Sequence, residues 1–205
     1  MQRARDDKAK DLRKQHILEA AEQIIRTQGL EQLNIAAVAK KVKLAVGTIY
    51  LYFPKKEDII AHLTIKSREI LLEKFKKSTA QSENALEQIH HLLAAYFRFY
   101  KEHLFYHELV SFYESNAGLE EPEELLQASR NITDFVVEIL NKGQVERHIR
   151  ADLDAQEFSF LLWGTVVGVI QLINVKAGPL QAQLHKSPEA FFETYIDLIV
   201  KSLRV

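Results

Sequence analysis

Residues 35–53 read IAAVAKKVKLAVGTIYLYF, and this stretch decides the fold of the N-terminal part of the chain. Its first apolar residues repeat at helical spacing and predict a short helix: Ile35, Val38, Ala39, Val42. Lys43-Leu44-Ala45 interrupts the pattern, and a second short helix is predicted from Val46 to Tyr52. Pro54 ends it, because proline lacks the N–H that a helix interior requires. Two short helices joined by a three-residue turn are typical of a helix-turn-helix unit.

Helical periodicity extends outward from this unit over almost the whole chain. We predict one helix before it, over 11–28, and six after it, over 55–78, 84–101, 104–117, 122–142, 154–177 and 188–204. Asn34 and Asp154 are the predicted N-caps. Six stop signals separate the elements: Gly29, Gly118, Pro122, Gly143, Gly178-Pro179, Ser187-Pro188. The predicted fold is therefore all-α, with about nine helices.

Composition agrees with a helical, globular protein. The 205 residues are 47% hydrophobic and 27% charged, with only seven Gly and four Pro. Cysteine is absent, which excludes disulfides, thiol nucleophiles and cysteine-ligated metal sites. Residues 1–66 carry 13 Lys or Arg against 8 Asp or Glu, whereas residues 67–205 carry 14 against 20. A basic first third on an acidic remainder suggests two roles, the first facing a polyanion.

The second short helix has the composition of a helix that is presented to a partner. Only Ile49 and Phe53 need to face inward, while Gly47 would let a backbone approach another surface. Thr48 and Tyr50 offer hydroxyl groups that can bind phosphate. Lys55 and Lys56 follow at the start of the next helix, where the helix dipole disfavours cations. A nearby phosphate explains that placement better than helix stability does.

Taken together, these residues resemble the DNA-binding domain of the TetR (tetracycline-repressor-like) family of bacterial transcriptional regulators. The resemblance covers roughly residues 10–60. It rests on Ile17-Leu18-x-Ala20-Ala21, Gly29-Leu30, Ile35-x-x-Val38-Ala39 and Val46-Gly47-Thr48-Ile49-Tyr50-x-Tyr52-Phe53-x-x-Lys56-Glu57-Asp58-Ile59. It implies a DNA-binding domain over 10–56 and a ligand-binding and dimerisation domain over 57–205. The family usually has Gly in the turn and a polar residue opening the recognition helix, where this sequence has Lys43 and Ala45.

The resemblance also implies which residues contact DNA. Thr48, Tyr50 and Lys56 correspond to phosphate contacts, and Asn34 can both cap its helix and reach a phosphate. Val46, Gly47 and Tyr52 correspond to groove-facing positions. The full predicted DNA-binding set is Asn34, Ala45, Val46, Gly47, Thr48, Tyr50, Tyr52, Lys55, Lys56.

The C-terminal part is rich in aromatic residues, which fit either a packed core or a cavity for an apolar small molecule. The resemblance supports a cavity without saying which residues line it. The predicted ligand-binding set is Phe97, Tyr100, Phe112, Tyr113, Arg130, Phe135, Trp163. His103 and His107 are four apart and could share a metal, but no further ligands are evident, so we predict no metal and no cofactor.

The last two helices carry apolar stripes that suggest a partner interface. Gly164 and Gly168 would let another helix approach closely. The predicted dimer interface is Phe160, Gly164, Val167, Gly168, Gln171, Phe192, Ile196, Ile199, Leu203. Residues 158–175 carry no charge and could span a membrane, but a buried or helix-packing role is favoured. A two-fold dimer would suit a palindromic DNA site.

The predicted function is a cytoplasmic, homodimeric transcriptional repressor that a small apolar or amphipathic molecule releases from its DNA operator. An enzyme in the C-terminal domain is the main alternative, yet the sequence has no Gly-x-Ser-x-Gly, His-Glu-x-x-His or phosphate-binding loop. A membrane-tethered regulator using residues 158–175 is a further alternative.

Overall fold

The computed structural model describes the backbone of residues 2–114 and 119–205, with side chains except at 2–7, 111 and 114. Within these residues the chain forms nine α-helices, one 3₁₀ turn at Leu30–Gln32, and no strand. The helices are α1 (Gln2–Gln28), α2 (Ile35–Val42), α3 (Val46–Tyr50), α4 (Lys56–Thr79), α5 (Ala85–Glu102), α6 (Leu104–Glu114), α7 (Glu123–Val145), α8 (Ala155–Leu184) and α9 (Pro188–Leu203). The predicted all-α fold is confirmed.

The described chain divides into two compact units. The first comprises Met1–Ser67 with His103–Leu126, and the second comprises Arg68–Glu102 with Gln127–Val205. The domain boundary predicted between residues 56 and 57 therefore lies eleven residues before the first boundary between the two compact units, which falls within α4. Because α4 runs unbroken from Lys56 to Thr79, one helix contributes residues to both units.

The first unit is built around the inner faces of α1, α2 and α3. The α1 face predicted to be apolar is buried, with Ile17 and Ala21 fully covered. Ile49 and Phe53 are also fully covered, as predicted for the second helix of the helix-turn-helix. Gly29 has φ 88° and ends α1, in agreement with its predicted role as a stop.

In the second unit, α5 packs against α9, and α9 packs against α8. Phe97 of α5 and Phe192 of α9 stack, with ring centroids 4.4 Å apart and planes 13° apart. Asp154 caps α8 as predicted, because its side chain accepts a hydrogen bond from the backbone N–H of Glu157 at 2.8 Å.

Two predicted helix ends are wrong. Gly143 lies inside α7, and an added Cβ there would lie 2.6 Å from Ala85 Cβ, so this glycine permits close packing rather than ending the helix. Helix α8 continues through Gly178-Pro179 to Leu184. Its backbone is non-helical at Lys176 (φ −124°, ψ 20°), so the helix bends there. Pro179 then falls in the first turn after the bend, where a missing N–H breaks no helical hydrogen bond.

Two other differences concern helix length. Helix α1 begins at Gln2 rather than at residue 11. Helix α6 is described only as far as Glu114, so the predicted stop at Gly118 lies outside the described residues.

Candidate DNA interface and effector cavity

The turn between α2 and α3 is made by a lysine in an unusual conformation. Lys43 has φ 56° and ψ 42°, in the left-handed region that normally favours glycine, at a cost of about 1 kcal/mol. The N–H of Leu44 bonds to the carbonyl of Ala39 at 3.0 Å and closes the end of α2. The chain therefore makes the sharp helix-turn-helix turn without glycine, and Lys43 itself remains exposed.

Helix α3 buries one face and leaves the opposite face in solvent. Ile49 is fully buried, whereas Tyr50 is 50% and Val46 42% exposed. Ala45 and Gly47 are also exposed, and an added Cβ on Gly47 would meet nothing within 4 Å. The exposed residues include four of the predicted DNA contacts, so the structure brings them together on one accessible face.

Leu51 belongs to the same face and was missed by the sequence reasoning. It is 80% exposed and keeps helical backbone angles (φ −69°, ψ −24°). The signal that could have identified it is its position four residues after Gly47, since residues four apart share a helix face.

The remaining predicted DNA contacts flank this face. Thr48 and Tyr52 are half-buried, so each offers only part of its side chain to a partner. Asn34 is exposed and caps α2, because its Oδ1 accepts from the N–H of Ala37 at 2.8 Å. Its Nδ2 donates to the carbonyl of Gln32 at 3.1 Å, which leaves one amide hydrogen for a phosphate.

Both lysines at the start of α4 are exposed. Their charges oppose the helix dipole, as expected, but Glu57 and Asp58 occupy the same first turn and offset that cost. The Asp58 carboxylate also accepts a hydrogen bond from the backbone N–H of Lys55 at 3.0 Å. The acidic pair therefore stabilises the N-terminus of α4 while Lys55 and Lys56 remain exposed to solvent.

An ion cluster ties α1 to α4 and α6 within the first unit. Glu22, whose side chain is 14% exposed, accepts hydrogen bonds from Lys66 at 2.8 Å and from Arg26 at 2.9 Å. Arg26 also lies over the ring of Phe105, 3.9 Å from its centroid. Burial acts to raise the pKa of Glu22, but the hydrogen bonds from Lys66 and Arg26 outweigh it and lower that pKa. Glu22 is therefore a stable carboxylate at neutral pH, and it helps to hold α6 against the helix-turn-helix unit.

The second unit contains a small apolar cavity of about 40 Å³. It lies among α4, α5, α7 and α8 and is lined by Phe75, Leu92, Leu93, Tyr96, Ile132, Thr133, Val136, Ser159, Leu162, Trp163, Val166. Trp163 meets Tyr96 edge-to-face at 6.2 Å. The lining side chains with polar groups are Thr133, Ser159 and Tyr96, each with a hydroxyl, and Trp163 with its indole N–H; the rest of the wall is apolar.

Of the predicted ligand-binding residues, Trp163 lines this cavity, and the others are placed elsewhere in the described chain. Phe97 is stacked on Phe192, and Tyr100 lies buried beside it, where burial raises the Tyr100 pKa. Phe135 is half-buried. Arg130 is exposed and donates to Gln127 Oε1 at 3.0 Å.

Phe112 and Tyr113 belong to the first unit instead of the second. Their rings meet edge-to-face with centroids 5.5 Å apart. The Tyr113 hydroxyl donates to the carbonyl of Glu57 at 3.3 Å. Tyr113 therefore links α6 to the start of α4. The apolar side chains that do line the cavity have the same helical spacing as ordinary core residues, so the sequence did not single them out.

The predicted dimer interface divides into an exposed part and a buried part. Gly164, Gly168 and Gln171 are exposed, and Phe160 is 62% exposed; Val167 and Ile199 are half-buried. By contrast, Phe192, Ile196 and Leu203 are at most 1% exposed in the single chain. Their assignment to the interface is corrected, because the inner face of α9 packs onto α5.

A metal site and a membrane-spanning helix would each suggest another function, and the structure gives little support to either. Within the described residues no group of three or more His, Asp or Glu side chains is placed to hold a metal. Helix α8 is long and apolar enough to cross a membrane by length and composition, but a packed helix can pass the same test.

The helix-turn-helix with an exposed outer face and flanking lysines defines the chain as a DNA-binding protein of the transcriptional-regulator class. Residues 17–63 match the family of bacterial regulatory proteins described as the tetR family. The match covers the helix-turn-helix unit with parts of α1 and α4, so this segment is a DNA-binding domain of the tetR type and the chain is a transcriptional regulator.

Comparison with individual proteins also finds regulator proteins. The chain is 28% identical over 153 residues to the fatty acid metabolism regulator protein of Bacillus subtilis, covering 73% of this chain and 77% of that protein. Its fold matches the crystal structure of the regulator FadR from B. subtilis in complex with stearoyl-CoA, with a TM-score of 0.73, 20% identity, and coverage of 93% and 99%. It also matches a transcriptional regulator of the TetR/AcrR family from Thermobifida fusca, with a TM-score of 0.65, 21% identity, and coverage of 94% and 99%.

Proposed function

We propose that the protein is a cytoplasmic homodimeric repressor that leaves a palindromic operator when a long-chain acyl compound, such as an acyl-coenzyme A thioester, occupies the cavity of the second unit. The observation that carries the proposal is the cavity wall, which is mostly apolar or aromatic and has no charged side chain. Such a wall suits an alkyl chain and offers no charged group to an ionic ligand. The regulator of B. subtilis whose structure contains stearoyl-CoA supports the choice of ligand class.

Ligand binding requires this cavity to enlarge. Its volume of about 40 Å³ is far below the roughly 300–1,000 Å³ of ligand pockets. The described structure therefore corresponds to the compact form, and an acyl chain must prefer a form with α5, α7 and α8 further apart. A ligand with that preference shifts the equilibrium towards the expanded form by its difference in affinity.

Helix α4 provides the route from the cavity to DNA. Phe75 on the cavity wall and Lys56 at the DNA-facing end belong to this single helix. A displacement of its Phe75 end changes the direction of the helix and the position of Lys56. A tenfold loss of DNA affinity then requires about 1.4 kcal/mol of coupling between ligand and DNA.

The proposed DNA interface is the α3 outer face with Asn34, Thr48, Tyr50, Tyr52, Lys55 and Lys56 around it. Its test is the salt dependence of operator binding for Lys56→Ala. We expect weaker binding to every duplex and a slope of log K against log salt that is smaller by about 1, because one phosphate contact is lost. Lys142→Ala, on α7, is the control and should leave the slope unchanged. An unaltered slope for Lys56→Ala would refute its phosphate contact.

The proposed interface between subunits is the exposed part of the predicted set: Phe160, Gly164, Val167, Gly168, Gln171, Ile199. Leu198 and Val175 extend this apolar surface, being 63% and 59% exposed. Gly164 and Gly168 leave open space above the α8 backbone, since an added Cβ would meet nothing within 4 Å. A second helix could therefore approach closely there and bury the apolar side chains.

The effector proposal is tested by blocking the cavity. Val136 lines it and is 6% exposed, so Val136→Phe fills space that an acyl chain would need. The matched control is Val145→Phe, because Val145 is on the same helix but 84% exposed. Stearoyl-CoA should release operator DNA from the wild type and from Val145→Phe, but much less from Val136→Phe, which still binds DNA. Equal release from all three proteins would place the effector elsewhere, and no release from any would reject the acyl class.

A further inference from the structure

The outer face of α3, the second helix of the helix-turn-helix, is unusually poor in hydrogen-bonding groups. Val46, Gly47, Tyr50 and Leu51 lie together on it, because Val46 and Tyr50, like Gly47 and Leu51, are four residues apart and Gly47 is three from Tyr50. Val46 and Leu51 are 42% and 80% exposed, and Gly47 adds no side chain between them. Tyr50, 50% exposed, carries the single hydroxyl of the four.

The side chains that usually read bases by paired hydrogen bonds are missing from this segment. Arg and Lys recognise guanine in this way, and Asn and Gln recognise adenine. None of these four residue types occurs between Ala45 and Tyr52. A helix with this surface cannot discriminate guanine or adenine by a bidentate side-chain contact.

An apolar side chain does have one distinctive partner in the major groove, the C5-methyl group of thymine. Two large aliphatic residues held in solvent on a helix face are unfavourable in the free protein, yet they gain free energy when DNA covers them. We infer that Val46 and Leu51 determine operator specificity by contact with thymine methyl groups. The inference rests on the proposed DNA interface and adds to it the chemistry by which sequence is read.

On this surface, different residues would then supply affinity for DNA in general and specificity for one sequence. Lys56 and Tyr50 would contact phosphates, which contribute affinity for every duplex and make it depend on salt. Val46 and Leu51 would contribute a term that depends on base identity and hardly on salt. Substitution of either group should therefore have a distinguishable effect.

The experiment begins with selection of the preferred duplex from a random DNA pool by the purified full chain. Each thymine of a half-site is then replaced, one at a time, by deoxyuridine, which removes only the methyl group. We expect one or two positions at which wild-type affinity falls about fourfold per methyl at fixed salt, as for one buried methylene-sized group.

Variant proteins then assign each methyl to its side chain. With Val46→Ala and Leu51→Ala, the affinity for thymine DNA should fall, and the deoxyuridine penalty should disappear at one position for each variant. Val145→Ala, which truncates a valine on α7 that is 84% exposed, should behave as wild type. Melting temperatures within a degree of wild type would show that the variants are folded, as expected for exposed side chains.

Three results would overturn the inference while leaving the proposed function intact. They are a selected half-site without a sensitive thymine, deoxyuridine penalties that persist unchanged in both variants, and variants that bind thymine DNA as wild type does. If the wild type selects no duplex at all, the proposed DNA interface fails, and the inference fails with it.

Discussion

The substitution Gly143→Ala tests the packing of the second unit most directly. Gly143 is in the last turns of α7 at a point where the chain crosses close to α5. A Cβ on this residue would lie 2.6 Å from Ala85 Cβ and 2.6 Å from Ile149 Cδ1. Ile149 ends in a flexible side chain that can turn away, but Ala85 Cβ is fixed to the backbone of α5.

The magnitude follows from that rigid contact. Carbon atoms in favourable contact are about 3.5–4.0 Å apart, so α5 and α7 would have to separate locally by about 1 Å. Overpacking of this kind costs about 1–3 kcal/mol. Alanine recovers about 0.5–1 kcal/mol, because glycine disfavours a helix. The net loss should be about 1 kcal/mol and at most about 2.5 kcal/mol, and a loss of 1 kcal/mol lowers the melting temperature by roughly 2–4 °C in a chain of this size.

The assay is thermal unfolding followed by circular dichroism, with Gly47→Ala as the matched control. Gly47 is also helical, but an added Cβ there meets nothing within 4 Å, so the free protein should melt at the same or a slightly higher temperature. A Gly143→Ala protein that is as stable as the control would refute the reasoning, because it would mean that the two helices are not in the close contact described.

Three further predictions concern the first unit, the subunit interface and DNA. Glu22→Gln should destabilise the protein by about 1–2 kcal/mol at pH 7, because Lys66 and Arg26 lose a charged partner. The Glu22 pKa is lowered in the folded chain, so its contribution is present above the ordinary value of 4.5 and is lost as the pH falls through the folded value. A stability difference from wild type that does not shrink at low pH would contradict this. Wild type and Val145→Glu should be dimers in light scattering, as proposed above, whereas Phe160→Glu should be a folded monomer; a dimeric Phe160→Glu protein would exclude this face. Gly47→Ala should weaken operator binding at least tenfold without loss of stability, and normal binding would show that DNA does not approach the α3 backbone closely.

Much of the helical order was predictable because it depends on local signals. The apolar period of α1 and α2, the Asn34 and Asp154 caps and the Gly29 stop act within a few residues of sequence. Side chains three or four positions apart share a face whatever the rest of the chain does. These elements were confirmed for that reason.

The two wrong predictions of helix ends share a different cause. Gly143 has the signature of a helix end, but its function is to admit Ala85 and Ile149, which are distant in sequence. Gly178-Pro179 has the same signature, yet the chain bends at Lys176 and the helix resumes. A glycine or proline indicates only that the backbone is locally unusual. Whether the helix ends, bends or admits a neighbouring residue at that point depends on the residues that pack against it.

The cavity shows the same limit. Phe97 and Trp163 look alike in sequence, since both are aromatic residues at helical spacing. Phe97 is covered by Phe192 from a helix about ninety residues later, whereas Trp163 lines the cavity beside Tyr96. Whether an apolar side chain fills a core or borders a space depends on which helices meet it.

By itself the sequence determined an all-helical chain, a helix-turn-helix at residues 35–53 and the inward face of each of its helices, because all three follow from periodicity and turn residues within one segment. The tertiary structure decided that Leu51 is exposed, that Phe192, Ile196 and Leu203 are internal, and that an apolar cavity lies among four helices. Those properties depend on contacts between residues far apart in the chain, and burial of apolar surface against a distant partner leaves no mark on local spacing.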